Sequence, residues 1–228
     1  LVERDLSEPS TLALSGGLFA AAGTRWQHDA GIEDGPARFA ADVVGFTAGT
    51  ANPGVLATVT AHAARAATFL ADVAGLPVHL HTASNWPGHS APRLHATPAE
   101  SGAELSALLR GAVARQPRIA VEDATDLVAL SAEGAELSQA GSRRRVAADA
   151  VVLATGGFGA AQTLLERHAP AAAGAVRAGG LHADGTALRV TEGLAPALAC
   201  MDAYQGQPHV SPHLCNGARP RFGASLPA

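Results

Sequence analysis

The chain has 228 residues, enough for one large domain or one and a half ordinary ones, and for a sizeable core. Apolar residues make up 47% and charged residues only 16%, which excludes an intrinsically disordered chain. The 16 cationic side chains are all arginines against 20 carboxylates, for a net charge of -4, and only Arg143, Arg144 and Arg145 cluster, so no basic stripe for nucleic acid is present.

Leu1-Val2-Glu3 reads as the end of a strand already under way, so a piece of a longer protein is expected. A polar loop, Arg4 to Thr11, and a small-residue stretch holding Ser15-Gly16-Gly17 follow. Helical spacing covers Pro36 to Thr47 and is strongest from Gly54 to Ala74, where Val55, Val59, His62, Ala66, Phe69 and Val73 recur as an expected core face. Asn52-Pro53 starts that helix and Gly75-Leu76-Pro77 stops it. Val78 to His81 alternates like a strand, Thr82 to Pro98 is loop, and Ser101 to Arg115 fits a helix.

The texture then changes to short strands at Ile119 to Glu122, Asp126 to Leu130, Ala135 to Gln139 and Arg144 to Ala147, with turns at Glu133-Gly134 and Gly141-Ser142. This is an antiparallel meander. The apolar run Ala150 to Ala154, ending in Thr155-Gly156-Gly157, is expected as a buried parallel strand with a glycine turn at its carboxyl end. Helices around Ala160 to His168 and Gly185 to Leu194 complete the reading. The fold class is α/β with an inserted meander.

No apolar run is long enough to cross a membrane as a helix. Cys200 and Cys215 form neither a CxxC pair nor a disulfide framework, so a reducing, cytoplasmic setting is the default. His79, His81, His89 and His95 could suggest a metal, and His79 and His81 share a strand face, but no carboxylate sits at ligand spacing and no metal is expected. In Gly88-His89-Ser90-Ala91-Pro92 a proline replaces the last glycine of a nucleophile elbow. Arg143 to Arg145 read as the solvated end of a hairpin.

Glycine pairs let backbone approach a flat or anionic ligand, because a side chain would block it. Ser15-Gly16-Gly17 and Ala154-Thr155-Gly156-Gly157, after an acidic Glu3 at a strand end, together favour a nucleotide-type ligand. Val2-Glu3-Arg4, Leu14-Ser15-Gly16-Gly17-Leu18-Phe19-Ala20-Ala21-Ala22-Gly23-Thr24 and Ala30-Gly31-Ile32-Glu33-Asp34 resemble flavoproteins of the fumarate reductase and succinate dehydrogenase family (FAD-dependent oxidoreductase 2). So do Val151 to Phe158, Ala183-Asp184-Gly185 and Met201-Asp202-Ala203-Tyr204-Gln205-Gly206, so the resemblance covers almost the whole chain.

The resemblance implies an incomplete FAD-binding fold of the two-dinucleotide-binding-domain type over 1–203, and the start of a capping domain over 204–228. Glu3, with Arg4 beside it, would hold the adenosine ribose, and Ser10 and Thr11 would lie along the pyrophosphate. Ser15, Gly16 and Gly17 would pass near the isoalloxazine. The backbone around Asp126 and Leu127 would meet the adenine, Ala154, Thr155 and Gly156 would pack near the adenosine half, and Asp184 would brace the flavin side. Gln205 and Gln207 would reach the substrate.

The sequence also departs from the family. A GxGxxG strand, which would bind the pyrophosphate at a helix N-terminus, would precede Leu1. Glu8-Pro9-Ser10 stands where the family usually has Gly-Gly-Asn, Ala183 where it often has Gly, and Gln207 where fumarate-reducing members carry a histidine. Gln can hydrogen-bond a carboxylate but offers no positive charge. The substrate-clamping arginines are expected beyond Ala228, so no catalytic residue is assigned. The flavin-linking histidine has no counterpart, so FAD should be held non-covalently, and by this chain alone weakly or not at all.

The expected activity of the parent protein is hydride transfer between flavin N5 and a carboxylic acid such as a C4 dicarboxylate. Alternatives are a 3-ketosteroid dehydrogenase-like enzyme or a non-catalytic nucleotide-binding fragment. A small-molecule substrate and an unidentified electron partner are implied, with no nucleic acid and no membrane.

Overall fold

The computed structural model describes residues 1–175, 177 and 179–204, which fall into two compact units, 15–116 and 1–14 with 117 onwards.

The unit 15–116 is built from β1 (Phe19–Ala20), α1 (Arg25–Asp29), α2 (Pro36–Phe46), α3 (Pro53–Thr68), β2 (His79–Leu80), β3 (Leu94–Ala96) and α4 (Gly102–Ala114). The helix starts follow from local chemistry. Thr24 and Gln27 form a reciprocal capping box on α1, Asn52 caps α3 through the Val55 amide with Pro53 in the first turn, and Ser101 caps α4 through the Glu104 amide. β3 lies between β1 and β2 in an antiparallel sheet, with Phe19 opposite His95 and Leu80 also opposite His95.

Small side chains let these elements approach closely. Ala21, Ala22, Phe39, Ala63 and Ala67 form one buried cluster, and Leu76, Val78, Leu105 and Ala112 a second. This corrects the face expected for α3. Its buried residues are Thr60, Ala63 and Ala67, whereas Val55, Val59, Phe69 and Val73 are 53% to 62% exposed. The two stripes differ by one position, about 100° of helix rotation. The alanine stripe wins because it packs more closely than the bulkier one could. At the end of α3 the chain widens into a π-turn, Phe69–Val73, closed by the Ala74 amide on the Phe69 carbonyl at 3.0 Å.

The other unit carries β4 (Thr125–Ser131), β5 (Gly134–Gln139), β6 (Ser142–Ala147), α5 (Gln162–His168) and α6 (Thr186–Thr191). The meander forms as expected, in the order β4-β5-β6, with a register shift between Leu127 and Ala129. Leu1 to Glu3 runs parallel to residues 120–125. The Glu3 amide donates to the Glu122 carbonyl and the Thr125 amide to the Glu3 carbonyl, at 2.9 and 3.0 Å. Ile119 to Glu122 therefore contributes a single bridge instead of a full strand.

The expected parallel strand at Ala150 to Ala154 is not present. Residues 150–157 have no regular hydrogen-bonded structure, and Val152 is 89% exposed. An apolar run becomes a strand only where a neighbour accepts its ladder, and no described strand lies beside it. The architecture of the described residues is thus mixed, with helices and small antiparallel sheets.

Candidate cofactor site

Glu3 ends the parallel bridge, and its Oε1 accepts from the Arg4 amide at 2.8 Å. Arg4 then ties three segments together. Its Nε bonds Asp126 on β4, Nη1 bonds Asp184 Oδ2 at 2.7 Å, and Nη2 bonds Thr186 Oγ1 at 3.1 Å. Burial disfavours the guanidinium charge, but the bonds it donates to Asp184 and Asp126 outweigh it and raise the Arg4 pKa. Burial also opposes the Asp184 charge, and bonds from Thr186 and Arg4 overcome it and lower its pKa. Three expected site residues, Arg4, Asp126 and Asp184, therefore meet at one guanidinium beside Glu3, although 122 and 180 positions separate Arg4 from the two acids. Arg4 directs its donors into the protein, which makes it a brace for this corner. Leu127, next to Asp126, sits at the register shift of β4.

Ser10 and Thr11 open a turn in which Ser10 Oγ accepts from the Ala13 amide and Thr11 Oγ1 from the Gly180 amide, at 3.2 and 3.1 Å. The loop after Ala154 is anchored at its far end. The Gly185 amide donates to the Gly157 carbonyl at 3.0 Å and the Ala160 amide to the Ala183 carbonyl at 2.8 Å. Gly156 has φ +74°, a conformation that suits glycine, and a Cβ on Gly157 would meet nothing within 4 Å.

Thr155 Oγ1 is buried without a hydrogen-bond partner. Among the described residues, the amides from Val151 to Gly157 have no protein acceptor either. Leaving the buried Thr155 hydroxyl unpaired costs about 1–3 kcal/mol, so it fits a ligand that pairs with it, and the neighbouring amides, on mostly exposed residues, stand open to the same ligand. That chemistry suits a dinucleotide.

In the unit 15–116, the two glycines of Ser15-Gly16-Gly17 have different tasks. Gly17 is buried at φ +72°, and a Cβ there would lie 2.6 Å from the Gly102 amide nitrogen. The Gly102 amide in turn bonds the Ser15 carbonyl at 3.0 Å. Gly17 therefore serves close packing on the start of α4. A Cβ on Gly16 would meet nothing within 4 Å, which leaves that side open to a ligand. Gln205 and Gln207 lie outside the described residues.

Two polar clusters escaped the sequence reading. Arg93 is fully buried and binds Asp34 through Nε and Nη2 at 2.8 and 3.0 Å, with Asp42 2.6 Å from Nη1. Gln27 Nε2 donates to the same Asp34 at 2.9 Å. Second, Glu100 bonds both His79 and His81, at 3.1 and 2.8 Å, which corrects the expectation that no carboxylate accompanies these histidines. The charged partners lie 19 to 59 positions apart, so no local spacing could have revealed them. Among the described residues, no group of three His, Cys, Asp or Glu side chains is placed to hold a metal ion. No helix there is long and apolar enough to cross a membrane.

No curated protein matches the chain significantly. Solved structures do. The open conformation of a flavocytochrome c3 fumarate reductase superposes with a TM-score of 0.76 at 22% identity, covering 85% of this chain and 35% of its own. A 3-ketosteroid-Δ4-(5α)-dehydrogenase from Rhodococcus jostii RHA1 gives 0.73 at 23% identity, covering 89% and 50%. A 3-ketosteroid Δ1-dehydrogenase from Sterolibacterium denitrificans gives 0.71 at 15% identity, covering 88% and 51%. The chain thus spans about a third to a half of the length of these structures, and at such identities they establish the fold. The sequence itself matches the family model for the FAD binding domain over residues 1–220. With that match over nearly its whole length, the chain belongs to the FAD binding domain family.

Proposed function

We propose that this chain is the FAD-binding part of an oxidoreductase that moves hydride between flavin N5 and a carboxylic-acid substrate such as a C4 dicarboxylate. The observation that carries the reading is the family match over residues 1–220. FAD supplies the hydride-transfer chemistry when bound, while the protein supplies binding, orientation and electrostatics.

In this reading Glu3 holds the adenosine ribose, and Asp126 and Leu127 place β4 backbone against the adenine. Ser10 and Thr11 lie along the pyrophosphate. Ala154, Thr155 and Gly156 offer unpaired amides and the Thr155 hydroxyl, supported by the orphaned Thr155 Oγ1. Ser15, Gly16 and Gly17 pass the isoalloxazine, with Gly16 as the open position. Arg4 and Asp184 hold the corner rigid, Gln205 and Gln207 contact substrate, and attachment is non-covalent. The FAD-binding domain extends over 1–203 and a capping domain begins at 204. The location is cytoplasmic, and the hydride chemistry calls for an electron donor or acceptor.

The second reading, a 3-ketosteroid dehydrogenase-like enzyme, is favoured by the two ketosteroid dehydrogenases among the structural neighbours.

FAD titration of the purified chain, followed by flavin fluorescence and ultrafiltration, tests the cofactor assignment. Weak, saturable binding is expected, weaker still in Glu3→Ala and Thr155→Val, with FMN a poor competitor because it lacks the adenosine. Equal binding of FMN and FAD, or full binding by both variants, would refute these site assignments. Anaerobic reoxidation of the reduced, FAD-loaded chain by fumarate supports the first reading, and turnover of a 3-ketosteroid the second.

A further inference from the structure

His81 leaves the end of β2 with its amide on the Leu94 carbonyl at 2.8 Å, so its backbone is held by the sheet. Its side chain is only 8% exposed. Nδ1 lies 2.8 Å from Glu100 Oε1, and Nε2 lies 2.9 Å from Ser84 Oγ. A carboxylate can only accept, so Nδ1 carries the ring proton and Nε2 is left as the acceptor for the Ser84 hydroxyl. Glu100 is itself fixed. Its backbone sits at φ +47°, an uncommon conformation for a side chain of this size, and its amide bonds the Thr97 carbonyl at 2.8 Å immediately before α4. His79 Nε2 reaches the same Oε1 at 3.1 Å. Bonds from His81 and His79 hold the Glu100 carboxyl below its usual range, so it stays ionised.

Ser84 is exposed on the loop that follows. Among the described residues, no group accepts from the amides of Ser84 and Asn85. The residue after a nucleophile often supplies one donor of an oxyanion hole.

We propose that Ser84, His81 and Glu100 form a hydrolytic site in which Ser84 is the nucleophile, His81 the general base and Glu100 the group that orients it, acting on small carboxylic esters. Hydroxyl, imidazole and carboxylate stand in the order and at the contact distances that this chemistry requires. Ser84 Oγ bonds to the ester carbonyl carbon as its proton passes to His81 Nε2. The carbon–oxygen bond to the alcohol then breaks, and the alcohol leaves with that proton. Water repeats both steps, freeing the acid and restoring Ser84. The sum is ester and water to acid and alcohol, with no change of oxidation state and no flavin.

A fluorophosphonate probe, which forms an Oγ–P bond as fluoride leaves, tests this on the whole chain, with the adduct located by peptide mass spectrometry. Labelling is expected at Ser84 ahead of every other serine, absent in Ser84→Ala and slowed about 100-fold in His81→Gln, the scale of a lost general base. p-Nitrophenyl acetate hydrolysis should fall in the same variants. Thermal unfolding checks each fold, and if His81→Gln is unfolded, slowed labelling in Glu100→Gln decides instead. No Ser84 adduct, or labelling at the native rate in the folded base or carboxylate variant, overturns the proposal. FAD binding is measured separately, so failure of either reading leaves the other standing.

Discussion

Replacing Arg93 with alanine should be among the most damaging single changes in the unit 15–116. Arg93 is 0% exposed, and its guanidinium meets Asp34, also 0% exposed, through two bonds at 2.8 and 3.0 Å, and Asp42 at 2.6 Å. It also stacks over the Phe39 ring at 4.8 Å. Two charge-assisted hydrogen bonds to Asp34 at about 1.5–3 kcal/mol each give a gross value of about 3–6 kcal/mol, to which the Asp42 ion pair adds. Asp34 keeps the Gln27 amide and the Gly35 N–H after the change, so part of its desolvation stays offset. The expected loss is about 3–5 kcal/mol, the usual result of leaving one buried charge unpaired. That is a large share of the 5–15 kcal/mol available to a typical domain. Urea unfolding followed by tryptophan fluorescence is a suitable assay, since Trp26 packs edge-on to the buried His95 in the same unit. In the double variant Arg93→Met with Asp34→Asn, the loss should be smaller than the sum of the single losses by at least about 1 kcal/mol. A loss below about 1 kcal/mol for Arg93→Ala, or strict additivity in the pair, would refute the view that this ion cluster is a mutually dependent unit.

Gly17→Ala should destabilise the chain by about 1–3 kcal/mol, measured by thermal unfolding, because the new Cβ meets backbone at the start of α4 and φ is +72°; Gly16→Ala, with open space around it, should be far milder. Arg4→Met leaves Asp126 and Asp184 without their shared cation, but these groups are a quarter to a half exposed. Solvent therefore screens the loss to about 1 kcal/mol in denaturant titration. Burial is the largest cause lowering the His95 pKa, and burial followed by Arg93 lowers that of His89. Both should stay neutral when folded at pH values where they protonate when unfolded. Stability should therefore be full above about pH 6.5 and decline below it toward the depressed folded values, as the unfolded chain takes up more protons. His95→Gln should flatten that slope in unfolding measured between pH 7.5 and 5.5, and an unchanged slope would clear His95 of the effect.

Much of this protein is decided locally. Asn52-Pro53, Ser101 and the turns at Gly134 and Gly141 set where helices start and hairpins turn, because capping and left-handed turns depend on one or two side chains and their nearest amides. The ordered motifs from Glu3 to Asp184 likewise made the family legible, and the family model matches over residues 1–220. Tertiary structure alone decided which face of α3 is buried, because two apolar stripes competed and the alanines of one allowed closer packing. It also decided that Val151 to Ala154 is no strand, since a strand exists only with a neighbour to accept its hydrogen bonds. The partnerships of Arg4 with Asp126 and Asp184, of Arg93 with Asp34, and of His81 with Glu100 belong to the same class. Each joins charges distant in sequence, and the preference of a buried charge for a counter-charge states that a partner must exist without saying which one the chain brings to it.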